Sequence, residues 1–141
     1  MNATSLLSAA AAVVGLSCAA VANEDLLPEA RSAGSVAYRS GGIGAEERAA
    51  LRAHARDYNL RLTFAAEGRG AYLGGAKVRI EDSDGHVVLD AGSEGPWFFA
   101  RLPKGRYRVV ASHETGAIAR DVDLSIRSVD LVLRWNVPVR D

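Results

Sequence analysis

The stretch Gly95-Pro96-Trp97-Phe98-Phe99-Ala100-Arg101, continued by Leu102-Pro103-Lys104-Gly105-Arg106-Tyr107-Arg108-Val109, decides the fold. Pro103 presets φ for the second residue of a type I turn, and Gly105 can take a positive φ. The segment therefore reads as one β-hairpin closed by a short loop. After the turn, Arg106 and Arg108 alternate with Tyr107 and Val109, the period of a strand with one wet face. Before it, Phe98, Ala100 and Leu102 face one way and Trp97, Phe99 and Arg101 the other.

The same period extends both ways from Leu60 onward. Leu60, Leu62 and Phe64 alternate with Arg61 and Thr63; Val78 and Ile80 with Lys77, Arg79 and Glu81. Val87, Leu89 and Ala91 alternate with His86, Val88 and Asp90. Ile118, Val122, Leu124 and Ile126 form a later inward set, and Leu131, Leu133 and Trp135 the last. Ser83-Asp84-Gly85, Gly92-Ser93-Glu94-Gly95 and Glu114-Thr115-Gly116 are turn signals between them. Short strands with turns at this spacing predict an antiparallel β-sandwich of about seven strands.

Ala45–Tyr58 reads as a helix. It is alanine-rich, carries Glu46 and Glu47 in its first turn, and places Leu51, Ala55 and Tyr58 on one stripe. This single N-terminal helix should pack on the sandwich, with Asn59 as a left-handed C-cap. Residues 23–44, with Pro28, Gly34 and Ser40-Gly41-Gly42-Ile43-Gly44, have the composition of a flexible linker. Within it Val36–Arg39 has the pattern of a short edge strand. The domain is expected over 45–135, with a tail at 136–141.

The chain has 141 residues, with 17 basic and 17 acidic side chains and a net charge of zero. That balance argues against a nucleic-acid partner. Leu6–Val21 is an uncharged apolar run ending in Ala20-Val21-Ala22, a small-x-small pattern. Residues 1–22 read as a secretory signal cut after Ala22, which leaves no spanning segment and a periplasmic or otherwise exported protein. Cys18 is the one cysteine. Gly15 stands where a lipobox needs a large aliphatic residue, so lipidation at Cys18 is the minor reading.

From Ala71 to Trp135 the chain resembles the carboxypeptidase regulatory-like domains, which are transthyretin-like, Ig-like β-sandwiches. Gly75-Ala76-Lys77-Val78-Arg79-Ile80, Asp84-Gly85-His86-Val87-Val88 and Phe99–Val109 carry the likeness. Gly41–Arg48 with Tyr58–Ala65 is similar to the front of small exported bacterial proteins bearing such a domain. The resemblance implies an accessory module that spaces or mediates contacts and has no catalytic residues. The hydroxyisourate hydrolases, which share the transthyretin shape, end in Tyr-Arg-Gly-Ser. This chain ends Val137-Pro138-Val139-Arg140-Asp141, so that activity is not implied.

No catalytic, cofactor or metal residues stand out. His54, His86 and His113 lack zinc-ligand spacing, and only a meeting of His86, His113 and Asp90 would make a weak site. Glu81–Gly85 suits a hairpin turn better than a calcium loop, because Ile80 would fill the first ligand position. Gly41–Gly44 lacks the Gly-Lys-Ser/Thr of a phosphate loop. No Gly-x-Ser-x-Gly elbow is present. Arg48, Arg52 and Arg56 form a row at helical spacing, either a solvated face or a contact for an anionic partner. Trp97 and Phe99 form either an exposed aromatic patch, with Tyr72 nearby, or a seat for the helix, the latter being favoured. The expected function is a non-catalytic interaction module of the bacterial periplasm or envelope, with an envelope protein or glycan as partner. A carbohydrate- or polymer-binding module is the alternative, and a small hydrolase the weaker one.

Overall fold

The computed structural model describes residues 26–68 and 70–137. The segment 1–22 expected as a signal, with Cys18, and residues 138–141 of the expected tail lie outside them. The described chain is a β-sandwich with one helix on its outside. One layer has five strands in the order β1-β2-β6-β3-β9, and the other has four in the order β5-β4-β7-β8. The strands are β1 (Arg31–Ala33), β2 (Val36–Gly41), β3 (Leu60–Ala66), β4 (Lys77–Asp82), β5 (Val87–Gly92), β6 (Trp97–Arg101), β7 (Arg106–His113), β8 (Gly116–Asp123) and β9 (Val129–Trp135). All pairings are antiparallel except β3 with β9, which run parallel in register Leu60↔Val129 through Ala66↔Trp135.

The core forms where the inward rows of the two layers meet. Leu60, Leu62 and Phe64 of β3, Phe98 and Ala100 of β6 and Leu133 of β9 face Val78 and Ile80 of β4, Leu89 of β5 and Val109 and Ala111 of β7, all at or near zero exposure. Tyr38 stacks on Phe98 with centroids 4.9 Å apart, and Phe64 meets Trp135 at 5.8 Å. Burying each such side chain contributes about 1.5–3 kcal/mol. Period-two alternation is therefore under strong constraint throughout.

The deciding stretch is not a hairpin. β6 lies in the five-stranded layer and β7 in the four-stranded one, so Leu102–Gly105 is an arch between layers. Alternation looks the same in both cases, because each strand points one row inward. What distinguishes the arch is where Leu102 is held. Leu102 is buried, its N–H donates to Asn59 Oδ1 (2.9 Å) and its carbonyl accepts from Asn59 Nδ2 (2.7 Å). Asn59 thus acts as a backbone mimic that ends β6, and no non-glycine residue among the described ones takes a positive φ, so it is not a left-handed cap. Gly105 does take a positive φ, 157°. Tyr107 Oη donates to the Pro103 carbonyl (2.6 Å) and pins the arch from the far side.

Other expectations need correction. Nine strands form among the described residues, rather than about seven. The segment expected as a linker over 23–44 supplies β1 and β2 from Arg31 onward. β2 is internal rather than an edge, because Val36 and Tyr38 enter the core and β1 pairs outside it. The helix α1 spans Ala45–Ala53 and gives way to a 3-10 turn at Ala55–Asp57. Opposite Ile80 and Glu81 of β4, β5 carries Val88 as an extra residue in a bulge, so Val87 faces out and Val88 packs on the core. Ile126 falls in the turn after β8 and is 90% exposed.

Candidate functional site

Trp97 and Phe99 point away from the main core, onto the outer face of the five-stranded layer. There α1 covers them. Leu51, Tyr58, Trp97 and Phe99 make a second buried cluster, with Leu27 and Ala55 at its rim. Trp97 and Phe99 stack at 5.7 Å, and Tyr58 lies 6.1 Å from Phe99. A nine-residue helix is too short to persist alone in water, so this cluster is what holds it. The exposed-patch reading of Trp97 and Phe99 is thereby set aside in favour of the helix seat. Trp97 is 9% exposed, and its indole N–H has no hydrogen-bond partner among the described residues.

The entry to α1 is fixed by its own charges. Glu47 Oε1 accepts the Gly42 N–H (2.7 Å), and Arg48 donates to the carbonyls of Gly42 (2.9 Å) and Ile43 (3.2 Å). The Gly41–Gly44 loop is therefore clamped by side chains of the helix that follows it. Gly42 has φ 92°, and a Cβ on it would lie 3.3 Å from the Trp97 ring. This close approach needs glycine.

The arginine row divides. The Arg48 guanidinium lies 5.0 Å from the centre of the Tyr72 ring, and Arg52 lies 5.4 Å from that of Trp97. Both cations thus lie against aromatic rings of their own fold. Arg56 stands exposed in the 3-10 turn. Tyr72, half exposed, is the one ring of the expected set that reaches solvent. Of the six expected surface residues, Arg48 and Tyr72 meet directly, Trp97 and Phe99 form the covered seat with the exposed Arg52 lying over the Trp97 ring, and Arg56 stands apart.

Sequence reasoning did not single out the cleft at one end of the four-stranded layer. It is an open concavity of about 640 Å³, lined by Glu81 and Asp82 of β4, Arg106, Tyr107 and Arg108 of β7, and Asp121 and Asp123 of β8 among others. Register brings Glu81, Arg108 and Asp121 into one row and Arg106 opposite Asp123 in the next. Arg108 pairs with Asp121 at 3.3 Å and Arg106 with Asp123 at 3.5 Å. Hydrogen bonds from Ser125, then the charge of Arg106, hold the Asp123 carboxyl below its ordinary range. Burial, with the nearby Asp82 charge, raises the Tyr107 phenol. The cations of this row are thus matched by the acids of the neighbouring strand, Arg108 by Asp121 and Arg106 by Asp123. The signal for this row was charge at alternate positions, basic in Arg106 and Arg108 and acidic in Asp121 and Asp123. It became a site only through the pairing of β7 with β8.

The histidines do not converge. His113 packs on Trp135 at 5.8 Å, and His54 lies 3.5 Å from Asp57. His86 lies 3.6 Å from Asp82, not beside His113 and Asp90. Asp82, Asp84 and His86 place one ligand atom each within 4.8 Å of one another. Asp82 Oδ1 also accepts the N–H groups of Asp84 (3.0 Å) and His86 (2.9 Å), the ordinary bonding of an Asx turn.

No protein-family model matches the chain, and no curated protein matches it. Among solved structures it is similar to BcpA, the major pilin subunit of Bacillus cereus, at 19% identity and a TM-score of 0.39, over 55% of this chain and 29% of that one. A variant of the same pilin gives 17% identity and a TM-score of 0.40, over 55% and 28%. The chain spans less than a third of the pilin's length. What that subunit assembles into is a property of the pilin.

Proposed function

We propose that this chain is a non-catalytic interaction module exported to the bacterial periplasm or envelope, and that it is a carboxypeptidase regulatory-like domain. The observation that carries the reading is the disposition of chemistry on the surface. The charged cleft is internally paired, the aromatic pair seats the helix, and what remains open is backbone at the sheet edges. Among the described residues β8 pairs only with β7. The bond from Leu124 N–H to the Gly105 carbonyl sets the phase of that ladder, so Ala117, Ala119, Asp121 and Asp123 turn their N–H groups outward. An open edge of this kind accepts a strand from another protein. The carbohydrate-binding alternative retains Tyr72 but has no second exposed ring among the described residues. The hydrolase alternative lacks a histidine hydrogen-bonded to a serine among the described residues.

Affinity capture from an envelope extract, run with wild type and Ala119→Pro, tests the reading. Proline at 119 removes an outward N–H and leaves the ladder to β7 intact. A partner retained by wild type and lost by the folded variant is the expected result. Glycan-array binding dependent on Tyr72, or turnover in an esterase and amidase screen, would replace the proposal by one of its alternatives. N-terminal sequencing of the exported chain should begin at Asn23; a lipid-modified Cys18 at the start would move the protein to a membrane anchor.

A further inference from the structure

β9 is the other long open edge, and its sequence is self-complementary about its centre. Among the described residues it pairs in parallel with β3 alone. Bonds from Val129 N–H to the Asn59 carbonyl and from Glu67 N–H to the Trp135 carbonyl bracket that ladder. They set the phase: Val129, Leu131, Leu133 and Trp135 bond toward β3, while Asp130, Val132 and Arg134 turn their N–H and C=O groups to the free side. None of these outward groups has a hydrogen-bond partner among the described residues. The side chains of Asp130, Val132 and Arg134 share the outer face, and Val132 is 50% exposed, one of few large apolar residues left so open.

A two-fold axis through an edge strand must match residues of like orientation, so registers move in steps of two residues. Centred on Val132, Val132 meets its own copy, Asp130 meets Arg134 of the second copy, and Arg134 meets its Asp130. Each pair then exchanges both backbone bonds. Opposite charges directly across an antiparallel pair stabilise it, as does the apolar contact between them. Slipping the register one step either way sets Val132 against Asp130 or Arg134 and leaves Arg134 with no acid opposite, while Asp130 keeps only Arg61 of its own chain.

The remaining edges do not offer this. β1 is three residues long, β5 contributes only Asp90 as a charge, and the outward row of β8 carries Asp121 and Asp123 with no cation. The geometry also leaves room. With strands about 4.8 Å apart, β6 lies roughly 12 Å from the axis, which places the two helices that cover β6 roughly 24 Å apart. We infer that a second copy of this chain is the occupant of the β9 edge, and that the two five-stranded layers join into one continuous sheet across a two-fold axis at Val132. This does not depend on the function proposed above.

Sedimentation velocity of the purified protein, from micromolar to about millimolar, reads the association. An edge-only interface is small, so a dissociation constant of roughly micromolar or weaker is expected. Arg134→Asp sets Asp130 against an aspartate, and Asp130→Arg sets Arg134 against an arginine. Each alone should weaken dimerisation at least tenfold, and mixing the two should restore a heterodimer with both charge pairs reformed. Asp130→Arg also places a cation beside Arg61, so its fold is checked by circular dichroism. If it fails to fold, the backbone amides of Asp130, Val132 and Arg134 in wild type, followed by NMR, give the answer. They should gain exchange protection as concentration rises. A wild type monomeric to about millimolar, an Arg134→Asp variant that dimerises like wild type, a mixture of folded variants that stays monomeric, or amides indifferent to concentration would each overturn the inference. So would finding the edge occupied by a strand of a different protein.

Discussion

Leu51→Ala separates a helix that seats on Trp97 and Phe99 from one that merely lies near them. Leu51 is fully buried between α1 and the outer face of the five-stranded layer. Truncating a buried leucine to alanine costs about 2–5 kcal/mol, with the spread set by how far the site collapses. Here the surrounding cluster is small and its rim, Leu27 and Ala55, is only partly buried, so α1 can settle inward. The cost should therefore fall near the lower end, about 2–3 kcal/mol. At roughly 4 °C per kcal/mol for a domain of this size, the melting temperature should drop by about 10 °C. Leu62→Ala, in the main core between two sheets that cannot approach further, should cost more, about 4–5 kcal/mol. The assay is thermal unfolding by circular dichroism, paired with acrylamide quenching in a Trp135→Phe background so that Trp97 is the sole fluorophore. Leu51→Ala should raise the quenching of Trp97 as well as lower the melting temperature. A loss under about 0.5 kcal/mol, within the range of ordinary surface changes, together with unchanged quenching, would refute the docked helix.

Asn59→Ala leaves both the N–H and the carbonyl of Leu102 without partners and should cost about 2 kcal/mol in denaturant unfolding, whereas a loss near zero would mean the arch is held otherwise. Tyr107→Phe removes the bond to the Pro103 carbonyl and should cost about 1 kcal/mol at neutral pH. The Tyr107 phenol is raised by burial and then by Asp82, so its contribution holds below the ordinary tyrosine value and is lost as pH rises through the folded one. The alkaline limb of the stability curve should accordingly be shallower in the variant. Hydrogen bonds from Arg61 hold the Asp130 carboxyl below its ordinary value, so its contribution is complete above the ordinary aspartate range and lost as pH falls through the lower folded value. The stability gap between wild type and Asp130→Asn should close as pH drops below about 4, as read by urea titrations at each pH. Gly95→Ala would set a Cβ 2.3 Å from the Gly41 carbonyl oxygen, so it should cost about 1–3 kcal/mol or more and disturb the clamped loop before α1.

The layers were legible because burial imposes one physical period from Leu60 to Trp135, and the helix because Leu51, Ala55 and Tyr58 share a stripe. Which strands share a sheet was not. Phe98-Ala100 and Tyr107-Val109 carry the same alternation whether the chain turns back beside itself or crosses to the other layer. The choice rests on Asn59, 43 residues away, gripping Leu102. The early strands were hidden by composition, since glycine and serine around Val36 and Tyr38 suggest mobility while two buried side chains suffice to dock β2 beside β6. The bulge at Ile80/Glu81 moved Val87 outward, a shift no local pattern announces. For the candidate surface, the residue types of Trp97 and Phe99 were legible, but their exposure depended on where α1 came to rest. The acidic and basic row of the cleft needed the β7–β8 register before its pairs could be seen.

Residue-resolved amide exchange in dilute solution tests the open-edged sandwich most directly. Slow exchange is expected at Leu131, Leu133 and Trp135 of β9 and at Ile118, Arg120 and Val122 of β8, with fast exchange at Asp130, Val132 and Arg134 and at Ala117, Ala119 and Asp121. Uniform protection along either strand would contradict this arrangement, because it would mean that the edge is already closed by chain that lies elsewhere in this fold.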